Sequence, residues 1–257
     1  MPSGTSRSTV FKFGFKMTTA IIVQARMAST RLPGKVLLPL AGHSVLWHVL
    51  TRCAAVQSAD LVCCAIPDDG SCEEIAAETE RAGAIVARGP EDDVLARYLH
   101  AAEMLDADVV LRVTSDCPVI DPTACAAVLH ARAEAAADYA CNNMPRGWPH
   151  GLDCEAFTRA SLARAAELAN EPDDREHVTP WLRRDASVSR VHVAGPGKAV
   201  AQHRWTLDYP EDYRFFEALF EALPPPPHIS SFAEILATVE AAPEIAALNA
   251  DRHINAN

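Results

Sequence analysis

The chain has 257 residues, 49% of them hydrophobic and 22% charged, with a formal net charge of −11 and a sequence pI of about 5.3. That length and apolar content suffice for a sizeable core, so one domain, or one domain with an appendage, is expected. The acidic balance argues against a general nucleic-acid or anionic-membrane binder, which needs a basic face, and no apolar run reaches the roughly 18–20 residues that span a bilayer.

Residues 1–16, MPSGTSRSTVFKFGFK, are basic and rich in Ser and Thr. They lack the continuous apolar stretch of a secretory signal and read as a disordered tail or an upstream start. A compact domain is expected over 17–223. It opens on TTAIIVQA (18–25), a β-branched apolar run that predicts a buried strand. Val45, Leu46, Val49, Leu50 and Cys53 recur at helical spacing. LVCCAI (61–66) is strand-like and stops at the PDDG turn. Ser71 and Glu74 have the spacing of a capping box for a helix ending at Gly83. A strand over 84–87, a helix over 92–105 and a strand over 108–113 follow. Asp121-Pro122 supplies an N-cap and first-turn proline for the next helix, and 138–141 is strand-like. Such alternation predicts an α/β fold with a mostly parallel sheet and helices on both faces. Beyond 141 the pattern loosens. LDCEAF (152–157), VSRVHVA (188–194) and RWTLD (204–208) are strand candidates. PPPP (224–227) breaks the chain, and Ser231 with Glu234 opens a helical C-terminal extension over 224–257 by a second capping box. Its apolar segment 232–248 either forms an interface or, the favoured reading, covers the core.

Eight cysteines include no C-x-x-C pair and lie mostly in apolar runs, the pattern of reduced buried thiols in a cytoplasmic protein rather than of a structural zinc site. The ten histidines are scattered.

Directly after the first strand comes QARMASTRLPGKVL (24–37), with Arg26, Arg31 and Lys35, small residues, a Pro-Gly turn and no acid. Ligands of α/β sheets bind at the carboxyl ends of strands, so these cations lie where a small anion would bind. Ser29 stands where a P-loop requires glycine, Val36 follows Lys35, and no G-x-G-x-x-G is present in this turn. The stretch suits a triphosphate clamp, with arginine forks and a lysine point charge on phosphate oxygens; a basic solvated loop is the plain alternative. Triphosphates arrive with Mg²⁺, which often takes only one or two protein carboxylates. Asp116 ends DVVLRVTSD and Asp208 ends RWTLD, each at a strand end and each two residues before a proline. Either alone could be an ordinary turn residue; with the basic loop they form a candidate metal pair. NNMPRGWPHGLDCE (142–155) is turn-rich and polar, and Asn143, Arg146, His150, Asp153 and Glu155 are candidates to line a sugar pocket.

ARMASTRLPGKVL, DDVLARY, RVTSDCPVID, GLDCE, REHVTPWLRR and RWTLDYPEDY, in this order over about residues 19–216, resemble the cytidylyltransferases that activate acidic sugars. The strongest likeness is to their branch of SpsF-type spore-coat polysaccharide biosynthesis proteins. The resemblance implies a Rossmann-like nucleotide-diphospho-sugar transferase fold (GT-A-like), with CTP and a small sugar-like acceptor as substrates, Mg²⁺ as cofactor and pyrophosphate as leaving group. It implies that Arg26, Ser29, Arg31 and Lys35 hold the triphosphate, with Gln24 and Ala25 bordering it. Asp116 and Asp208 would hold the metal, making Arg26, Lys35, Asp116 and Asp208 the catalytic set. Thr114 and Ser115 would lie beside the nucleoside, and Asp93 and Arg97 near base and sugar. Arg175 and His177, in the REHVTPWLRR block, are candidates for acceptor binding, with His177 a candidate base. Relatives usually carry Gly where Ser115 stands, and the octulosonate and sialate enzymes carry Gln where Thr114 stands. Relatives are commonly dimeric, which makes a homodimer one option. Two rival readings stay open: a GT-A glycosyltransferase consuming a nucleotide-sugar, disfavoured because no D-x-D follows DVVLRV, and a non-catalytic nucleotide sensor. A GTP-using nucleotidyltransferase is a variant of the first reading.

Overall fold

The computed structural model describes residues 16–252; the expected tail, apart from Lys16, lies outside the described residues. In chain order, β1 (Thr19–Gln24) leads through the basic loop to a short ribbon, β2 (Pro39–Leu40) and β3 (His43–Ser44), and then to α1 (Val45–Ala54). Next come β4 (Leu61–Pro67), α2 (Glu73–Arg81), β5 (Ile85–Gly89), α3 (Val94–Met104), β6 (Val109–Thr114) and α4 (Pro122–Glu134). The second half holds β7 (Tyr139–Cys141), β8 (Glu155–Thr158), α5 (Arg159–Leu168), α6 (Pro172–His177), α7 (Pro180–Arg184) and β9 (Arg190–His192). It closes with α8 (Pro210–Ala222), α9 (Phe232–Ala241) and α10 (Pro243–Ala247).

Seven strands form one sheet in the order β5-β4-β1-β6-β8-β7-β9. Only β8 runs antiparallel to its neighbours; the other pairings are parallel. Alternation along β1 divides the core. Ile21 and Val23 pack with α1, α2 and α4 on one face, while Ala20 and Ile22 pack with α3, α5 and α7 on the other. The α/β expectation from the sequence is therefore met, with helices on both faces.

The topology also locates the crevice. From β1 the chain moves outward to β4 and β5, then returns to place β6 on the opposite side of β1. The loops leaving Gln24 and Thr114, which are register partners, therefore diverge at a topological switch point, where open α/β sheets bind ligands.

Three sequence expectations are corrected. The Ser71–Glu74 capping box does not form, because Asp69 closes the preceding turn by accepting from both the amide (3.0 Å) and the hydroxyl (2.7 Å) of Ser71. RWTLD (204–208) is extended but joins no sheet; its one bridge is His150 to Arg204. Within 152–157, pairing to β6 begins only at Glu155. The second capping box does form, with the Ser231 hydroxyl and amide both donating to Glu234 Oε2 at 2.8 Å. The helix it opens packs against α8, and Ile235, Val239 and Ile245 join Trp205, Leu207, Phe215 and Phe216 in one apolar cluster. The apolar C-terminal segment covers core.

Candidate active site

The basic loop folds as its turn chemistry dictates. Leu32-Pro33-Gly34-Lys35 is closed by Lys35 N–H donating to Leu32 O at 3.3 Å, and Gly34, at φ 65°, occupies the left-handed position that favours glycine. The turn sends Lys35 back toward the sheet. Its ammonium donates to Asp116 Oδ2 (2.9 Å), Asp208 Oδ1 (2.9 Å) and the Leu207 carbonyl (2.7 Å). Two aspartates far apart in sequence thus meet at one cationic atom. Their loops are tied together: Leu207 N–H donates to Asp116 O at 2.8 Å, and the Thr206 hydroxyl donates to the same carbonyl at 3.4 Å.

Asp208 is held from several sides. Arg31 donates to Oδ1 and Arg204 to Oδ2, each at 3.0 Å. Arg204 is itself fixed by the fully buried Asp212 at 2.9 and 3.0 Å. Asp212 also accepts the Asp208 and Tyr209 amides at 2.9 and 3.0 Å, so the N-terminus of α8 holds the metal-candidate loop. Sequence reading missed Arg204, although it lies at even spacing from Asp208; the signal was there in an extended segment.

The charges of Lys35 and the two aspartates set each other's titration. Burial alone would push the Asp116 carboxyl up. The Lys35 charge, with hydrogen bonds from Thr114 and Lys35, outweighs it and holds the group well below the ordinary carboxylate range. Burial and the like charge of Asp116 act upward on Asp208, yet Lys35 and Arg204 hold it low. Burial works against the Lys35 ammonium, but the two carboxylates keep its pKa above the ordinary value of 10.5. Two carboxylates converging on one cation make a donor set suited to a divalent ion that retains water and phosphate ligands. No three His, Cys, Asp or Glu side chains come together as a metal cage among the described residues.

Above this apex opens a cleft of about 560 Å³. One wall is the basic loop with Ser29, Thr30, Arg31 and Lys35; the other carries Val94, Arg97, Glu176 and His177. Gln24, Ala25, Arg112, Thr114, Ser115 and Asp116 line it along the strand ends. Arg26, also in the lining, faces Glu176 at 3.7 Å, a half-exposed pair that contributes little to stability. Arg97 is buried, donating to the carbonyls of Pro90 (3.0 Å) and Glu91 (2.8 Å).

Seven expected residues stand apart from this cleft: Asp93, Asn143, Arg146, His150, Asp153, Glu155 and Arg175. Asp93 caps α3, accepting from Ala96 N–H at 2.9 Å, and is engaged by Arg175 at 3.0 Å; neither is in the cleft lining. Asn143, Arg146 and Asp153 belong to the loop before β8, where Asp153 lies 4.0 Å from Arg146 and 3.1 Å from His150. Glu155 is buried within the sheet. It takes hydrogen bonds from Arg112 (2.8 Å), Thr179 (3.2 Å), Arg183 (3.0 and 2.7 Å) and Tyr139. A carboxylate this occupied has no face for a sugar. Burial pushes its pKa up, and the two arginines outweigh that and hold it low.

A family model described as cytidylyltransferase matches residues 20–232. The chain is 31% identical over 232 residues to the spore coat polysaccharide biosynthesis protein SpsF of Bacillus subtilis, covering 88% of this chain and 95% of that one. Among solved structures, a cytidylyltransferase from Leptospira borgpetersenii superposes with a TM-score of 0.85 at 24% identity, covering 94% of this chain and 100% of that one. A CMP:2-keto-3-deoxy-manno-octonic acid synthetase complexed with CTP superposes with a TM-score of 0.61 at 19% identity, covering 79% and 98%. These likenesses give the Rossmann-like nucleotidyltransferase fold, and with the family matched over most of its length the chain belongs to the cytidylyltransferases and is a nucleotidyltransferase.

Proposed function

We propose that the protein transfers CMP from CTP to a sugar-like acceptor with release of pyrophosphate, using Mg²⁺, in the synthesis of a surface polysaccharide or glycoconjugate. The observation that carries this reading is the shared apex, Lys35 Nζ at 2.9 Å from both Asp116 and Asp208, directly beneath the clamp loop. CTP is favoured by the family and by the nucleotide in the solved synthetase. Polysaccharide synthesis is favoured by the description of the Bacillus relative. Eight free, buried cysteines accord with a reducing cytoplasmic setting, and no helix among the described residues is long and apolar enough to cross a membrane.

In this reaction an acceptor oxygen attacks the α-phosphorus, the bond to the bridging oxygen breaks, and pyrophosphate leaves with the electron pair. The demand is positional and electrostatic. Arg26, Arg31 and Lys35 meet the charge that grows on pyrophosphate. With nucleotide present, Lys35 would meet phosphate oxygens, leaving Asp116 and Asp208 as the carboxylates that would hold a metal. Asp116 and Asp208 would hold Mg²⁺, which would supply Lewis-acid charge withdrawal to the phosphates. Arg204 and Asp212 keep Asp208 in place throughout.

The test is thermal stabilisation of the full chain by CTP, GTP, UTP and ATP, each with and without Mg²⁺. A ligand at a hundredfold excess over Kd adds about 2.7 kcal/mol, so a Mg²⁺-dependent shift selective for CTP is expected. Selectivity for GTP would replace the base. A shift with a nucleotide-sugar and none with any triphosphate would overturn the reading in favour of a glycosyltransferase.

A further inference from the structure

A second, smaller pocket lies away from the cleft, where α1 meets the segment that follows α8. Arg52, in the last turn of α1, lines it and is 5% exposed. Its guanidinium ties two distant segments to the helix, with Nη1 donating to the carbonyls of Ile120 (3.4 Å) and Ser230 (2.9 Å). Those bonds satisfy donors but bring no negative charge. Among the described residues no carboxylate oxygen lies within 4.0 Å of the Arg52 guanidinium. Asp121 is the acid whose charge acts on it most. Both oxygens of that carboxylate are taken by backbone amides, Ala124 and Phe232, each at 2.8 Å. Glu234, which acts more weakly, is held by Ser231 at 2.8 Å and His228 at 3.1 Å. Burial pulls the Arg52 pKa down to about 10, and the charge of Asp121 acts upward without restoring it. A buried charge is ordinarily paired; this one lacks its partner.

The pocket has room for that partner and the chemistry to hold it. Among the described residues no acid lines it. Trp47, Phe220 and Pro226 give it apolar walls, and a low-dielectric wall strengthens attraction between charges. Thr51 adds a hydroxyl beside Arg52. His48, also in the lining, supplies no charge at neutral pH, because burial pulls its pKa down to about 4. The pocket volume is about 20 Å³, where a single water needs roughly 10–15 Å³. That is space for one small ion rather than a metabolite. A water there would satisfy N–H donors but leave the charge unmet.

We infer that this pocket is a binding site for a small monovalent anion of the halide class, with chloride as its physiological member, held by the Arg52 guanidinium and the Thr51 hydroxyl. The ion supplies the counter-charge to the group that fastens α1 both to Ile120, in the segment following Asp116, and to Ser230, at the entry to α9. Chloride is then a structural ligand of the joint between the sheet and the C-terminal helices. The site is separate from the cleft and does not depend on the reaction proposed there.

Thermal melts of the full chain test it. Total ionic strength is held constant with sodium gluconate, whose anion is too bulky for the pocket, and gluconate is replaced stepwise by chloride, bromide or formate. An anion at about fivefold its Kd should raise Tm by about 2–4 °C. The expected result is a saturable rise with chloride and bromide that is lost in Arg52→Gln, which keeps an N–H donor and removes the charge. A rise that does not saturate, or that is the same in Arg52→Gln, is a general salt effect and would overturn the site. A rise with formate and none with either halide would overturn the halide class. Wild-type crystals grown in bromide give a second measurement that does not need the variant to fold. An anomalous peak in contact with the Arg52 guanidinium is expected, and density there without anomalous signal, a water only, would overturn the assignment.

Discussion

Lys35 holds two like-charged carboxylates within one hydrogen-bond shell, with side-chain exposures of 14%, 24% and 15% for Lys35, Asp116 and Asp208. Lys35→Met removes the shared counter-charge and should cost about 2–4 kcal/mol, at or below the penalty for breaking a fully buried pair, read from urea melts. The pH dependence follows from the direction of each shift. Asp116 and Asp208 are held below their ordinary values. Their contribution is therefore present above about pH 4 and is lost as acid titrates them through their depressed folded values. Lys35 is held above 10.5, so its contribution is present below 10.5 and is lost as alkali titrates it above that. The stability difference between wild type and Lys35→Met should be flat from about pH 5 to pH 9 and shrink at both ends. In turnover, Asp116→Asn should lower the rate of pyrophosphate release by roughly a hundredfold or more, by analogy with loss of one transition-state donor; normal Mg²⁺-dependent turnover in that variant would remove Asp116 from the metal assignment. The basic loop's place in the cleft was legible because cations next to a strand end in an acidic chain are conspicuous. Arg112 was not, since an arginine inside an apolar strand run carries no local mark of what it faces.

Helix α3 begins where Asp93 does two jobs, capping Ala96 N–H at 2.9 Å and pairing with Arg175. Asp93→Ala should lower stability by about 1–2 kcal/mol, chiefly through the lost cap. Measured by thermal melts, the combined Asp93→Ala/Arg175→Ala variant should lose less than the sum of the single changes, because the pair is shared. The segment before β8 is pinned to the one carrying Asp208 by a backbone approach that only glycine allows. Gly151 sits at φ 110°, and a Cβ there would come within 2.0 Å of Trp205 O. Gly151→Ala should therefore cost about 3 kcal/mol or more and, by displacing 204–208, reduce Mg²⁺-dependent stabilisation by nucleotide. RWTLD has a strand's composition, yet its hydrogen bonds go to the His150 and Asp116 loops. Among the described residues no strand lies beside it to pair with, and that, rather than local propensity, keeps it out of the sheet.

The C-terminal helices are built into the core. Ile235 is fully buried in the cluster that contains Trp205 and Leu207, next to the Asp208 loop. The segment is strapped down by Arg52 donating to Ser230 O at 2.9 Å and by Phe232 N–H donating to Asp121 Oδ2 at 2.8 Å. Ile235→Ala should cost about 2–4 kcal/mol in denaturant melts while leaving a single transition. Two separated transitions would mean that residues after 223 fold as an independent unit.

The sequence by itself determined the alternation of strands and helices through β7, the Pro-Gly turn, the caps at Asp121 and Ser231, and the placement of a cation cluster at the end of β1. Each is set by contacts within a few residues, so local periodicity and turn chemistry carry the information. Tertiary structure alone decided that Lys35 bridges Asp116 and Asp208, that Arg204 and Asp212 support them, and that Glu155 lies beneath the sheet surface between two arginines. Those outcomes depend on strand order and register. A switch point between β1 and β6 brings loops from distant parts of the chain to one edge, and antiparallel pairing of β8 sets Glu155 opposite Arg112. Neither order nor register is written in any single segment.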